Sequence, residues 1–188
     1  RSSDLQHSNS PIFLCGSVAQ FIREKIPKEI TVLSGNYEFL PQQLNNTKSN
    51  INDIKKRDII NVSNGNPNHL KLIDWSRKSL GGNKNLILGN KKFFFPYIST
   101  RGCPYSCREY CTYPTSQGRK VLQESEDVIL NKLKQISKSY PKSHIVFRDP
   151  VFSINLKHTK ALLKKIGDAN LKIDFSAELH LNNVDDEL

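Results

Sequence analysis

Phe93-Phe94-Phe95-Pro96-Tyr97-Ile98-Ser99-Thr100 is followed at once by Arg101-Gly102-Cys103-Pro104-Tyr105-Ser106-Cys107-Arg108-Glu109-Tyr110-Cys111. The first stretch is an apolar strand, although Pro96, which has no backbone donor, argues against an ideal central ladder position. The second puts three cysteines into nine residues. A loop of that composition, set between a strand and an amphipathic helix, is a cofactor loop rather than a piece of core.

Downstream, Ser125-Glu126-Asp127 is a helix-start signal, and Ile129, Leu133, Ile136 and Tyr140 form one stripe of the helix that follows. His144 to Phe147 reads as a second strand, closed by Arg148-Asp149-Pro150. Asn155 caps a further helix whose Thr159, Leu162, Leu163 and Ile166 share a face, Lys172 to Glu178 is a third strand, and Asn183 is placed to cap another helix. Strand, loop, helix, strand, helix, strand is the order of successive βα units in a parallel barrel or open sheet. In such folds ligands sit at the carboxyl ends of the strands, where the cysteines, Arg148-Asp149 and Glu178 all fall.

Upstream, Pro11 to Ser17 is a short strand ending near Gly16. Val18 to Ile26 forms a helix, and Glu29 to Gly35 a β-branched strand, giving a strand, helix, strand unit. From Gln42 to about Asn90 the pattern dissolves into Asn, Lys, Ser and Gly, with apolar islands at Ile59-Ile60, Leu70 to Trp75 and Leu86 to Leu88. The expected organisation is therefore an α/β unit over residues 1–41, a linker over 42–90 with Trp75 as an anchor, and a second α/β unit over 91–188.

The chain has 188 residues and a formal charge of +10. This balance suits an anionic partner such as RNA or a nucleotide, but lysines as scattered as Lys25, Lys55, Lys132 and Lys164 read first as a solvated basic surface. No apolar run approaches the roughly 20 residues that cross a bilayer. Clustered rather than dispersed cysteines point to a reducing, cytoplasmic setting and a metal rather than to disulfides. The chain begins with Arg1, contains no methionine and ends on what reads as a helix start, so it is expected to be a fragment of a longer protein.

Three soft thiolates spaced four residues apart suit an inorganic centre with one coordination position left open. Structural zinc is the alternative, but paired C-x2-C units and a nearby histidine are lacking. Cys15, within an apolar strand, reads as a small buried hydrophobe. His144, His158 and His180 lack metal-ligand spacing, and Asp149 before Pro150 also reads as a strand terminator.

The run from Arg101 to Cys107, the aromatic before Cys111 and the following Tyr113-Pro114 resemble the radical S-adenosylmethionine superfamily. The likeness covers Pro96 to Glu178, where Phe147-Arg148-Asp149-Pro150-Val151-Phe152 is similar to the second-strand motif of cobalamin-dependent members. Cys15-Gly16-Ser17 and Leu33 to Phe39 resemble the closing part of the Rossmann-like cobalamin-binding domain in that subgroup.

The resemblance implies the first three βα units of a partial parallel (β/α) barrel, preceded by the tail of a Rossmann-like domain. It implies a 4Fe-4S cluster on Cys103, Cys107 and Cys111, and S-adenosylmethionine on the free iron. Tyr110 would lie against the adenine, Asp149 and Glu178 would contact cofactor or substrate, and Gly16 and Ser17 would approach a corrinoid. An electron donor such as flavodoxin or ferredoxin, and a small-molecule or RNA substrate, complete the expectation. The cysteine spacing, C-x3-C-x3-C, is one residue longer than the usual C-x3-C-x2-C of the family.

Overall fold

The computed structural model describes residues 12–14, 30–35, 39–47, 59–62, 65–72, 94–107 and 110–188. The expected helix at Val18 to Ile26, together with Cys15, Gly16, Ser17 and Trp75, lies outside the described residues. The chain divides into two compact units, one of Arg1–Asn66 with Pro104–Arg119, the other of Pro67–Cys103 with Lys120–Leu188.

In the first unit, β1 (Ile12–Leu14), β2 (Ile30–Gly35) and β3 (Ile59–Val62) form a parallel sheet in chain order. The register sets Ile12 beside Ile30 and Val32 beside Ile59. β-branched residues favour this pleated, close-packed setting, and Val32 is fully buried. Helix α1 (Leu40–Thr47) follows β2 and starts beside the buried Phe39. The side-chain amide of Gln42 pairs with the backbone of Asn66, donating to its carbonyl at 3.2 Å and accepting from its N–H at 3.0 Å. The stretch expected as linker thus contributes a helix and a strand to this unit. Four residues of β3 within an Asn- and Lys-rich background are too short to show a period of their own.

The second unit is built on β4 (Phe94–Tyr97), β7 (His144–Phe147) and β8 (Asp174–Ser176), all parallel and again in chain order. β5 (Thr100–Arg101) and β6 (Leu122–Gln123) make a small antiparallel ribbon. Between them in sequence, and belonging to the first unit, α2 (Tyr113–Gln117) follows the cysteines. Pro96 is accommodated because β4 is an edge of the described sheet, which is open, with no closure into a barrel among the described residues.

The crossover helices are α3 (Glu126–Ser139) and α4 (Leu156–Asp168). Alternation along the strands sends Phe95, Tyr97, Ile145, Phe147 and Phe175 to the side where Ile129, Leu133, Ile136, Leu162 and Ile166 wait. The stripe expected on α3 is the buried one, with Tyr140 at its C-cap. Asn155 caps α4 as expected, its Oδ1 accepting from the His158 N–H at 3.2 Å. Ser125 holds the N-cap position of α3 without a side-chain cap bond. At the far end of α4, Asn170 takes a left-handed φ of 48°, and the Leu171 N–H reaches back to the Ile166 carbonyl. This is a Schellman stop, and it folds Leu171 onto the core.

Two sequence expectations are corrected. Asn183 caps no helix: residues Leu181–Asn183 form a single 3₁₀ turn capped by His180, and the Asn183 amide donates to the Ser153 carbonyl at 3.0 Å. Lys132 is no surface lysine. Its ammonium lies 2.7 Å from the buried Glu124, whose other oxygen accepts from the Tyr97 hydroxyl at 2.5 Å. Burial, then the Glu124 carboxylate, hold the Tyr97 phenol far above its ordinary pKa, so it stays a donor.

Removing one partner of a buried pair strands the other. Glu124→Ala is therefore expected to lower the unfolding free energy by about 3–5 kcal/mol. The exposed Lys164 and Asp168 pair on α4, 2.7 Å apart, supplies the contrast, with Asp168→Ala changing stability by less than about 1 kcal/mol in the same urea titrations.

Candidate functional site

The carboxyl ends of β4 and β7 meet in a network of buried polar groups. The Arg148 N–H donates to the Tyr97 carbonyl at 2.7 Å, extending the ladder one residue beyond the strands. Asp149 then turns inward. One carboxylate oxygen accepts from the Ser99 N–H at 2.7 Å and the Thr100 N–H at 3.0 Å, and the other from the Ser99 hydroxyl at 2.5 Å. Ser99, Thr100 and Asp149 are all buried. Burial raises the Asp149 pKa above its ordinary 3.8, and the bonds from Ser99 and Thr100 pull it back down.

This clasp stands at the neck of the cysteine loop. The Glu124 N–H donates to the Ser99 carbonyl at 3.0 Å, and β5 pairs Thr100 with Gln123 and Arg101 with Leu122. The Gln123 amide adds a bond to the Thr100 hydroxyl at 3.1 Å. The chain therefore leaves at Gly102 and returns at Val121 through two strands that are zipped together. Gly102 has a φ of 79° and Gly118 a φ of 84°, a left-handed backbone that a side chain at either bend would strain.

The predicted ligands fall in different surroundings. Cys103, in the second unit, is 4% exposed. Cys107 is exposed and Cys111 half-buried, both in the first unit. Among the described residues no group of three or more His, Cys, Asp or Glu side chains is placed to hold a metal ion. Within the loop, one Arg119 guanidinium nitrogen lies 3.4 Å from the Pro104 carbonyl and 3.4 Å from the Ser106 hydroxyl, long contacts for hydrogen bonds.

Tyr110 is 83% exposed. Glu178 is exposed too, 3.9 Å from Arg148, while its backbone carbonyl accepts from the Phe152 N–H at 2.8 Å. Arg148 thus turns to Glu178, leaving Asp149 to the clasp. Sequence reasoning missed Ser99, Thr100 and Glu124, because their partners come from other elements; for Asp149 they lie 49 and 50 residues away. A cleft of about 530 Å³ opens at the opposite, amino ends of β7 and β8, between Tyr140, Lys142, Ile145, Lys172 and Asp174. No cysteine lines it.

With the clasp intact, Cys103 is expected to react with a thiol reagent far more slowly than Cys107. Asp149→Ala removes the acceptor of three bonds and is expected to speed modification of Cys103 by about tenfold or more, leaving Cys107 unchanged, as read by peptide mass spectrometry. The pH dependence has a definite sign. A carboxyl whose folded pKa is raised contributes stability that is complete below its ordinary value and is lost as the pH climbs through the raised one. The unfolding free energy of the wild type relative to Asp149→Asn is therefore expected to fall as the pH rises across that window, measured by urea titration at each pH.

No helix among the described residues is long and apolar enough to cross a membrane. Compared with known proteins, the chain matches no family model and no curated protein.

Proposed function

We propose that the chain is part of a radical S-adenosylmethionine enzyme. On this reading residues 91–188 are the beginning of a (β/α) barrel, and residues 1–41 the C-terminal part of a cobalamin-binding-like Rossmann domain. The observation that carries it is a three-cysteine loop at the carboxyl end of the first strand of a parallel sheet, with its neck clasped by buried groups. The donor set fits an iron–sulfur centre in type, three soft thiolates close along one loop.

Cys103, Cys107 and Cys111 would hold a 4Fe-4S cluster, which when bound would supply the electron for reductive cleavage of S-adenosylmethionine. The chain's own contribution is positional. The Asp149 clasp and the β5–β6 ribbon fix both ends of the loop, and the flanking glycines give it the bends it needs. Tyr110, fully available at the surface, is the residue for stacking against the adenine. Glu178 and Arg148, exposed together at strand ends, are the polar groups for cofactor or substrate. Asp149, buried and accepting three hydrogen bonds, keeps the loop in place from beneath.

Cobalamin-dependent methyl transfer is the subtype favoured by the Phe147 to Phe152 motif, with a flavodoxin- or ferredoxin-like electron donor. The formal charge of +10 favours a second reading, modification of an RNA substrate.

Anaerobic reconstitution is expected to load about four iron and four sulfide per chain. Cys103→Ala, Cys107→Ala and Cys111→Ala should each abolish the charge-transfer absorption of the cluster. Zinc retained without sulfide would sink the proposal, and tight RNA binding that weakens steeply with salt would select the second substrate class.

A further inference from the structure

The side of the second sheet turned away from α3 and α4 carries a cluster that the cysteine loop does not involve. The β7–β8 register sets His144 beside Asp174 and Val146 beside Ser176. Since Ile145 and Phe175 point into the helix-packed core, His144, Asp174 and Ser176 share the opposite face. There the His144 Nε2 lies 2.9 Å from the Ser176 hydroxyl, and its Nδ1 lies 3.0 Å from an Asp174 oxygen. The edge of the Phe94 ring, 5.4 Å away centre to centre, walls the imidazole. The His144 side chain is 16% exposed and that of Asp174 55%, and Ser176 is open to solvent.

For a neutral imidazole, hydrogen-bond chemistry gives the roles. An ionised Asp174 only accepts, so Nδ1 carries the proton and donates to it. In the neutral ring Nε2 is then the acceptor, and the Ser176 O–H must be its donor. This is the order of a nucleophile, a base and the carboxylate that orients the base, which is recognised by geometry rather than by place in the sequence.

We propose that Ser176 is a nucleophilic serine, activated by His144 and oriented through Asp174, for acyl transfer from carboxylic esters. In the first step the Ser176 oxygen forms a bond to the ester carbonyl carbon, and its proton passes to Nε2. The carbon–oxygen bond to the alcohol then breaks, and the imidazolium returns the proton to that leaving oxygen. Water attacks the acyl-serine by the same route, releasing the acid and restoring Ser176. On the barrel reading the face carrying these three residues is the inner face of the sheet, so the assignment is for the chain as it stands, and its test reads Ser176 itself, whereas that of the radical reading reads the cluster.

The test uses a fluorophosphonate probe on the whole chain, because the same serine oxygen attacks phosphorus, its proton goes to His144 and fluoride departs. Intact mass and peptide mapping are expected to show one adduct, on Ser176, lost in Ser176→Ala. His144→Gln should slow labelling by about a hundredfold, the scale of general-base assistance. Asp174→Asn should slow it by about tenfold or more, through loss of the orienting carboxylate. Circular dichroism checks that each variant is folded; should His144→Gln not fold, Asp174→Asn decides. No adduct on Ser176, or folded variants labelled at the wild-type rate, would overturn the assignment.

Discussion

A buried carboxylate that accepts three hydrogen bonds is the constraint on which the second unit depends. Leaving water is costly for Asp149, as its raised pKa records, and the donors of Ser99 and Thr100 offset that cost. Those donors are backbone and side-chain groups of the segment just past β4. A turn after β7 is thereby tied to the residues that launch the cysteine loop. The sheet beneath is ordinary parallel pairing packed on two helices; the clasp is what gives its carboxyl end one defined shape.

Next to it stands a second buried polar unit, Tyr97 with Glu124 and Lys132. Glu124 follows β6 directly, so this triplet anchors the returning side of the loop neck as Asp149 anchors the departing side. His158 adds a contact from α4, its Nε2 2.8 Å from the Glu124 carbonyl. Buried ionic groups seldom add much net stability over apolar ones of the same shape. Their arrangement here bears on position: one strand end, one ribbon and both crossover helices meet at Glu124 and Asp149.

What the sequence conveyed follows the range of the forces involved. Periodicity is local, so the buried stripe of α3, the cap at Asn155 and the strands at His144 and Asp174 could be read from neighbouring residues. The alternating apolar residues of β4 and β7 show the sheet in the same way. β3 could not be read, because its four residues are outweighed by their polar surroundings. Asp149 looked like a strand terminator, and Lys132 like one more surface lysine, because their partners come from other elements. The cysteine loop was conspicuous by composition alone, yet composition does not say which thiol is buried. Cys103 is covered where the chain emerges from the clasp, whereas Cys107 is exposed farther along the loop.

The cluster on the other face of the sheet owes its geometry to the core. Phe175 lies between Asp174 and Ser176, and its ring packs edge-on to Phe147 at 5.7 Å and against Phe152 at 6.4 Å. A one-residue slip of β8 would turn Phe175 out to solvent and drive Asp174 and Ser176 into the apolar layer. Burial of one aromatic ring therefore selects the register, and the register sets a carboxylate and a hydroxyl on either side of His144. The polar groups need not hold themselves together: their spacing is imposed from beneath by side chains that never touch them, which is how a rigid sheet presents reactive groups at its surface.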